Sequence, residues 1–389
     1  MNILYALSHV NKSLQWQWFA EEMKNRGINQ TYVIYDWDGS GSYFYNDLQN
    51  LGIQSYLLPS VDKIGHTGNL LNTVSIIKKH RPDIVHTSLP YGNLLGQMGA
   101  WMAGVRNRIT TCENASWAHD FRHKKQEIVD KFTYWLSQKV VAVADSATEY
   151  LKKNYHLSDE KLTTIYHGLK ETEYTDVSPD RISNIKEKLN ITENDFIVGV
   201  VSRYEFWKGH EFINKAAAIL KKRNKHQNIK ILVFGSKGSY YDTAMQQINE
   251  LGIEDVVISK GYINDPVALF KVFDVHLHVP VNKYVENCGI NIIEGMISER
   301  PQILTKSGYA WQSADHMRNA YVVDYQNAEA IADAIEFMKN HKEIAMDLAA
   351  EAKRDAIRIY GLKTKVDKHI ALYQSFGNIM DVQLDLQLQ

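Results

Sequence analysis

From one end of the chain to the other, short runs of aliphatic and β-branched residues alternate with longer stretches in which apolar positions recur every three or four residues. An apolar run of four to eight residues bounded by turn residues reads as a buried strand, and the three-to-four spacing as a helix with one apolar face. The first half predicts strands at 3–7, 31–35, 55–58, 84–87, 108–111, 140–144 and 162–166. The second half predicts strands at 196–201, 229–234, 256–260, 275–279, 302–305 and 320–323. Helical patterns fill the gaps. Leu94, Leu95, Met98, Trp101 and Met102, for example, fall on one face of a helix after the Tyr91-Gly92 turn and read as core. Strict alternation of strand and helix is the mark of parallel βαβ units, so the fold class is α/β.

The alternation lapses once, in the polar, turn-rich stretch ETEYTDVSPDR between Lys170 and Arg181. A lapse of this kind predicts a domain boundary. The chain divides on this reading into a first Rossmann-like domain at 1–180, a second at 181–362, and a final segment at 363–389 in which a helix near 363–376 crosses back to the first domain. The tail DVQLDLQLQ is left without assigned structure. Two doubly wound lobes facing each other would surround one cleft with the carboxyl ends of their strands, where open α/β sheets bind ligands.

Composition narrows the function. Lys and Arg number 44 against 45 Asp and Glu, so no net field draws the chain to nucleic acid. Cys112 and Cys288 are the only cysteines and are far apart, which suggests neither a disulfide framework nor a structural zinc site and fits a reducing cytoplasm. MNILYAL is too short for a signal-peptide core, and no stretch approaches the roughly 18 to 20 apolar residues a spanning helix needs. The expected location is cytoplasmic, with peripheral contact at the inner face of a membrane left open; oligomeric state is not legible.

Two segments carry candidate chemistry. After the strand at 196–201 comes SRYEFWKG, which sends Arg203 and Lys208 off the carboxyl end of a buried strand. An arginine fork can take two phosphate oxygens and a lysine adds a compact charge, a combination suited to a diphosphate leaving group. Further on, PVNKYVENCGINIIEG runs from a strand through a loop to Gly289, where Ile290, Ile293 and Met296 begin helical spacing. Unpaired amides at a helix start attract anions, and a glycine there lets a ligand approach the backbone. Glu286 lies in the loop and Glu294 about one turn inside the helix. A carboxylate accepts two hydrogen bonds side by side, which suits vicinal sugar hydroxyls, so each is a candidate sugar reader.

VGVVSRYEFWKG and ENCGINIIEG together resemble the phosphate-binding strand and the E-x7-E element of family 4 glycosyltransferases, which have the GT-B fold. Weaker echoes run in order through RPDIVHTSLP, VVAVADSATEYL, KLTTIYHG, ILVFGSKG, VVISKGYINDP and ALFKVFDVHLHVP. The resemblance implies a retaining, metal-independent transferase that moves a sugar from a UDP- or GDP-linked donor to a glycan or lipid-linked acceptor, in surface polysaccharide or glycoconjugate synthesis, with no further cofactor. It implies that Arg203 and Lys208 neutralise the diphosphate, Glu286 holds sugar hydroxyls and Glu294 holds the ribose. The backbone of Cys288, Gly289 and Ile290 would face phosphate and sugar, with Gly235 and Ser236 flanking the nucleotide and Tyr262, in Gly261–Ile263, near the base.

Two departures stand out. The first loop, SHVNKSLQW, has no glycine where many members have several, leaving Asn11, Lys12 or Ser13 to compensate. Where members carry a histidine after the fifth strand, RITTCENASWAHD offers Glu113, with His119 further on. His86 reads as packed core, His167 as a loop or hinge residue, and Trp16, Trp18, Trp117 and Trp207 as core before acceptor platforms. A dinucleotide oxidoreductase would need a GxGxxG turn after a strand, which is not found. A non-catalytic glycan-binding or accessory subunit of the same fold is the alternative that these departures favour.

Overall fold

The structure, a computed structural model, describes residues 1–387 apart from His9, Trp37, Asp38, Asn114, 116–123 and Asn287, with side chains as far as Gly377. Trp117 and His119 therefore lie outside the described residues. The chain forms two compact units, Met1–Leu169 with Leu362–Gln389, and Lys170–Gly361. The division falls ahead of the polar stretch read as a linker. That stretch belongs to the second unit, because it contains the helix Glu171–Thr175 and leads into Pro179–Leu189, whose Ile185 and Leu189 join the second unit's core.

In the first unit, β1 (Asn2–Leu7), β2 (Asn29–Tyr35), β3 (Gln54–Leu58), β4 (Ile84–Ser88), β5 (Asn107–Cys112), β6 (Lys139–Ala142) and β7 (Leu162–Thr164) form one sheet in the order β3-β2-β1-β4-β5-β6-β7. Every pairing is parallel. Such strands are covered on both faces and so read as near-continuous apolar runs, and NILYAL is buried at every position after its first.

The helix Pro90–Met102 lies close on this sheet for a reason other than the expected stripe. Leu95 is buried, but Trp101 and Met102 are 58% and 46% exposed. Gly92 and Gly96 face the sheet, where a Cβ would come within 2.6 Å of Ser8 N and 2.6 Å of Thr87 Cγ2, and Gly99 faces the helix Val61–His80, with a Cβ 2.8 Å from Thr73 Cγ2. Small residues let two backbones approach, so they claim the contact and turn the larger side chains outward. The final helix, Leu362–Gln387, continues through the tail that carried no assignment. Its Val366, Leu372, Tyr373 and Phe376 pack with Tyr5, Phe19 and Tyr32 of the same unit.

The second unit holds β8 (Phe196–Val201), β9 (Ile229–Phe234), β10 (Val257–Gly261), β11 (Val275–His278), β12 (Gln302–Leu304) and β13 (Tyr321–Val322) in the order β10-β9-β8-β11-β12-β13, again parallel throughout. Alternate residues of β8 feed two cores, Val198 and Val200 on one face and Ile197 on the other. Strand order reverses between the neighbours β8 and β11, where Val275 pairs with Val198. Connections leave such a pair in opposite directions and open a crevice at the carboxyl ends.

Candidate functional site

The two charged segments singled out in the sequence follow β8 and β11, the strands that flank this crevice. Beyond β8 the chain makes a short 3-10 turn, Phe206–Lys208, and then the helix His210–Lys222. Gly209 joins them at φ 79°, and a Cβ there would lie 2.1 Å from Val279 O. Only glycine allows that approach at that φ. The turn is thereby held against the end of β11, with Val281 N donating to Trp207 O at 3.0 Å.

Lys208 Nζ consequently meets Glu286 Oε2 in a hydrogen-bonded ion pair whose side chains are each only 14% exposed. His278, the last residue of β11, turns its Nε2 toward the same carboxylate oxygen at 3.6 Å. Gly289 (φ 64°) caps the helix Ile290–Ile297. A side chain at Gly289 would crowd Ile292 Cδ1 at 2.9 Å, Glu286 Cγ at 3.3 Å and His278 Nε2 at 3.4 Å. Cys288 is half-buried and its carbonyl accepts from Tyr309 N at 2.8 Å, which pins the loop, while Ile290 opens the helix. The first-turn amides of a helix have no partner within it, so this end can receive an anion.

Arg203 leaves β8 with its side chain 63% exposed and 3.7 Å from the carboxylate of Glu205. Glu205 is itself buried and accepts from Ser239 Oγ at 2.6 Å. Arg203 O accepts from His210 Nε2 at 3.0 Å. Burial pushes His210 down to about 4, so that ring is neutral and its Nε2–H is the donor. Gly235 and Ser236 follow β9, the next strand out. Gly235 N donates to Gly261 O at 2.9 Å, a Cβ at Gly235 would lie 2.1 Å from Ser202 O, and Ser236 O accepts from Tyr204 N at 3.3 Å. Tyr262 follows β10 and is 71% exposed.

Glu294, about one turn inside the helix, receives a hydrogen bond from Tyr174 OH at 2.9 Å. Burial lifts its carboxyl to about 7, and the Tyr174 bond only partly opposes that. Arg203, Lys208, Glu286, Glu294, Cys288, Gly289, Ile290, Gly235, Ser236 and Tyr262 thus all belong to one unit, on segments that follow four adjacent strands. Among the described residues no group of histidine, cysteine and carboxylate side chains could hold a metal ion.

Glu113 belongs to the other unit and follows β5. Ser88 Oγ donates to its Oε1 at 2.8 Å and His167 Nε2 lies 2.9 Å from its Oε2. Burial pushes this carboxyl up, but the charge and hydrogen bond of His167, the Ser88 hydroxyl and the charge of Lys365 outweigh it and hold the group down at about 2. The group lines a small cavity of ≈ 10 Å³ with His167, Lys365 and His369, room for about one water. His167 lies in the loop after β7, as expected, and is a partner of Glu113. His86 is core: its Nδ1 and Nε2 are both bonded, to Tyr373 OH and Thr111 Oγ1, each at 2.7 Å. At the first loop Ser8 Oγ accepts from Gly92 N at 2.8 Å, and Ser13 caps the helix Leu14–Asn25. Trp16 and Trp18 pack inside the first unit, and Trp207 stands edge-on to Phe206.

The family model described as Glycosyl transferases group 1 matches residues 181–355, and that described as Glycosyltransferase Family 4 matches residues 18–173. The chain belongs to the family 4-type glycosyltransferases. This glycosyltransferase is 24% identical to EpsD of Bacillus subtilis (strain 168), a candidate glycosyltransferase, over 77% of this chain and 78% of that one. It is 22% identical to the capsular polysaccharide biosynthesis glycosyltransferase CapM of Staphylococcus aureus, over 79% of this chain and 80% of CapM. Among solved structures, Anabaena HepE in complex with UDP-glucose superposes with a TM-score of 0.82 at 18% identity, covering 96% of this chain and 100% of HepE. The fold is GT-B.

Several side chains beside the candidate residues of the two units carry no signal in the sequence. Glu205, Asn291 and Tyr174 were unremarked, and Lys365 sat in a helix read only as a crossing. Each acts through a partner remote in the chain, as in the Tyr174 bond to Glu294, so no local spacing could reveal it.

Proposed function

We propose that this glycosyltransferase binds a nucleoside diphosphate sugar at the β8/β11 crevice and transfers the sugar with retention of anomeric configuration, without a metal ion, to a glycan or lipid-linked acceptor in surface polysaccharide synthesis. The observation that carries the reading is the pairing of Lys208 with Glu286 beside the helix start at Gly289. An ammonium has three protons and a flexible stem, so Lys208 can turn from Glu286 to a diphosphate, while Arg203 extends from the same strand end. These cations, with the helix amides, supply charge where the leaving phosphate gains it. Glu286 then faces the sugar and Glu294 the ribose. The bond from the anomeric carbon to the diphosphate breaks, the acceptor oxygen bonds to that carbon on the same face, and the acceptor proton leaves with the nucleoside diphosphate. Glu113, held ionised, is suited to bind a sugar hydroxyl or stabilise positive charge at the anomeric centre.

A UDP-linked donor is the first expectation, because HepE holds UDP-glucose on a similar fold. A polyprenyl-linked acceptor draws support from an Escherichia coli galactosyltransferase that acts on a diphosphoundecaprenol-linked sugar, 18% identical over 82% of this chain and 84% of that one. The test is a panel of UDP- and GDP-sugars with undecaprenyl-diphosphate saccharides and capsular oligosaccharides as acceptors, with product anomers read by NMR in the presence of EDTA. We expect transfer with retention that EDTA leaves intact. An inverted product, loss of transfer in EDTA, or no consumption of any nucleotide sugar would each overturn the corresponding part of the proposal.

A further inference from the structure

His278 is buried at the end of β11, with its ring between the helix Ile290–Ile297 and the Lys208–Glu286 pair. Asn291 Nδ2 lies 2.9 Å from Val201 O and 2.9 Å from His278 Nδ1. A backbone carbonyl can only accept, so the atom of Asn291 facing Val201 O must be the amide nitrogen. Its second proton then points at His278 Nδ1, which must carry a lone pair. The ring proton therefore sits on Nε2. Burial, followed by the charge of Lys208, holds this histidine well below its usual range, so the ring is neutral and Nε2–H is its single donor.

That donor has no hydrogen-bond partner among the described residues. It is aimed at Glu286 Oε2, 3.6 Å away, a little beyond hydrogen-bond reach, while Lys208 holds the same oxygen. A buried N–H left without an acceptor costs free energy, which gives this one reason to gain a partner when the site changes.

Resting on the reading that Lys208 serves the donor diphosphate and Glu286 the sugar, we propose that His278 is a positioning residue for Glu286. Lys208 anchors the carboxylate in the arrangement described. When the diphosphate draws Lys208 toward it, the Nε2–H of His278 closes on Glu286 and keeps the carboxylate turned to the sugar hydroxyls. Asn291 contributes by fixing the tautomer. No covalent bond changes and no proton is transferred; one acceptor passes between two donors. The device acts on the sugar half of the donor and leaves the nucleotide half untouched.

The experiment measures affinity for UDP and, in parallel, for UDP-glucose, UDP-galactose and UDP-N-acetylglucosamine, together with transfer kinetics, in wild type, His278→Leu, His278→Gln and Glu286→Gln. Melting temperatures establish that each variant is folded. For His278→Leu we expect UDP affinity within about twofold of wild type and a loss of about tenfold or more in affinity for the preferred UDP-sugar, the scale of one hydrogen bond to a charged group. His278→Gln, whose amide nitrogen can stand where Nε2 stands, should recover most of that loss. Wild-type behaviour in His278→Leu overturns the inference, as does a parallel fall for UDP and UDP-sugar, which would mark a merely structural histidine. If Glu286→Gln binds UDP and every UDP-sugar as wild type does, the reading of Glu286 fails, and the inference about His278 fails with it.

Discussion

With its carboxyl lifted to about 7 by burial, Glu294 is protonated in a large share of molecules near neutrality. Its folded value lies above the ordinary 4.5, so the stability linked to this group is complete below pH 4.5 and is lost as pH rises through about 7. A ribose diol donates hydrogen bonds and favours the ionised carboxylate. Binding should therefore expel a proton, and affinity for a UDP-sugar should rise about tenfold from pH 6 to pH 8 and level off above. Calorimetric titration across that range checks this, and Glu294→Gln should abolish the slope. A flat profile in wild type would show that Glu294 does not meet the ribose. Side chains of this kind were half legible. Lys208, Glu286 and Glu294 could be picked out because each follows or opens an element at a set spacing, whereas the partners that tune them, Tyr174 and His278, come from segments whose closeness only the folded chain reveals.

At the scale of elements, the Lys208 turn depends on one backbone position. Gly209 combines φ 79° with a would-be Cβ 2.1 Å from Val279 O, so Gly209→Ala strains the backbone and drives the turn away from β11. We expect a loss of more than about 1 kcal/mol in urea unfolding together with weakened UDP-sugar binding, since Lys208 moves with the turn. A variant as stable and as tightly binding as wild type would show that Gly209 does not hold the Lys208 turn in place. All the expected strands are present, because parallel strands covered on both faces leave an apolar run that little else in a chain imitates. Helix faces were harder to read. In Pro90–Met102 the sheet is met by Gly92 and Gly96, and the helix Val61–His80 by Gly99, residues that a search for large apolar side chains passes over. The polar stretch after Lys170 looked like a linker because its helix Glu171–Thr175 is short, with Tyr174 as its buried residue.

At the scale of the molecule, each unit is a parallel sheet whose strand order reverses once, between β1 and β4 in the first and between β8 and β11 in the second. The reversal in the second unit explains why charged segments far apart in sequence come together, since the loops after β8 and β11 emerge side by side. Family matches at 18–173 and 181–355 span both units, while no helix among the described residues is long and apolar enough to cross a membrane. We propose that the Lys208–Glu286 pair opens to receive an activated sugar. The most direct test is titration of UDP-glucose, UDP-galactose and UDP-N-acetylglucosamine into wild type and Lys208→Ala. We expect saturable binding of at least one of them by wild type, weakened about tenfold or more in the variant by loss of a charge-assisted contact. Equal affinity in the two proteins would contradict the proposal.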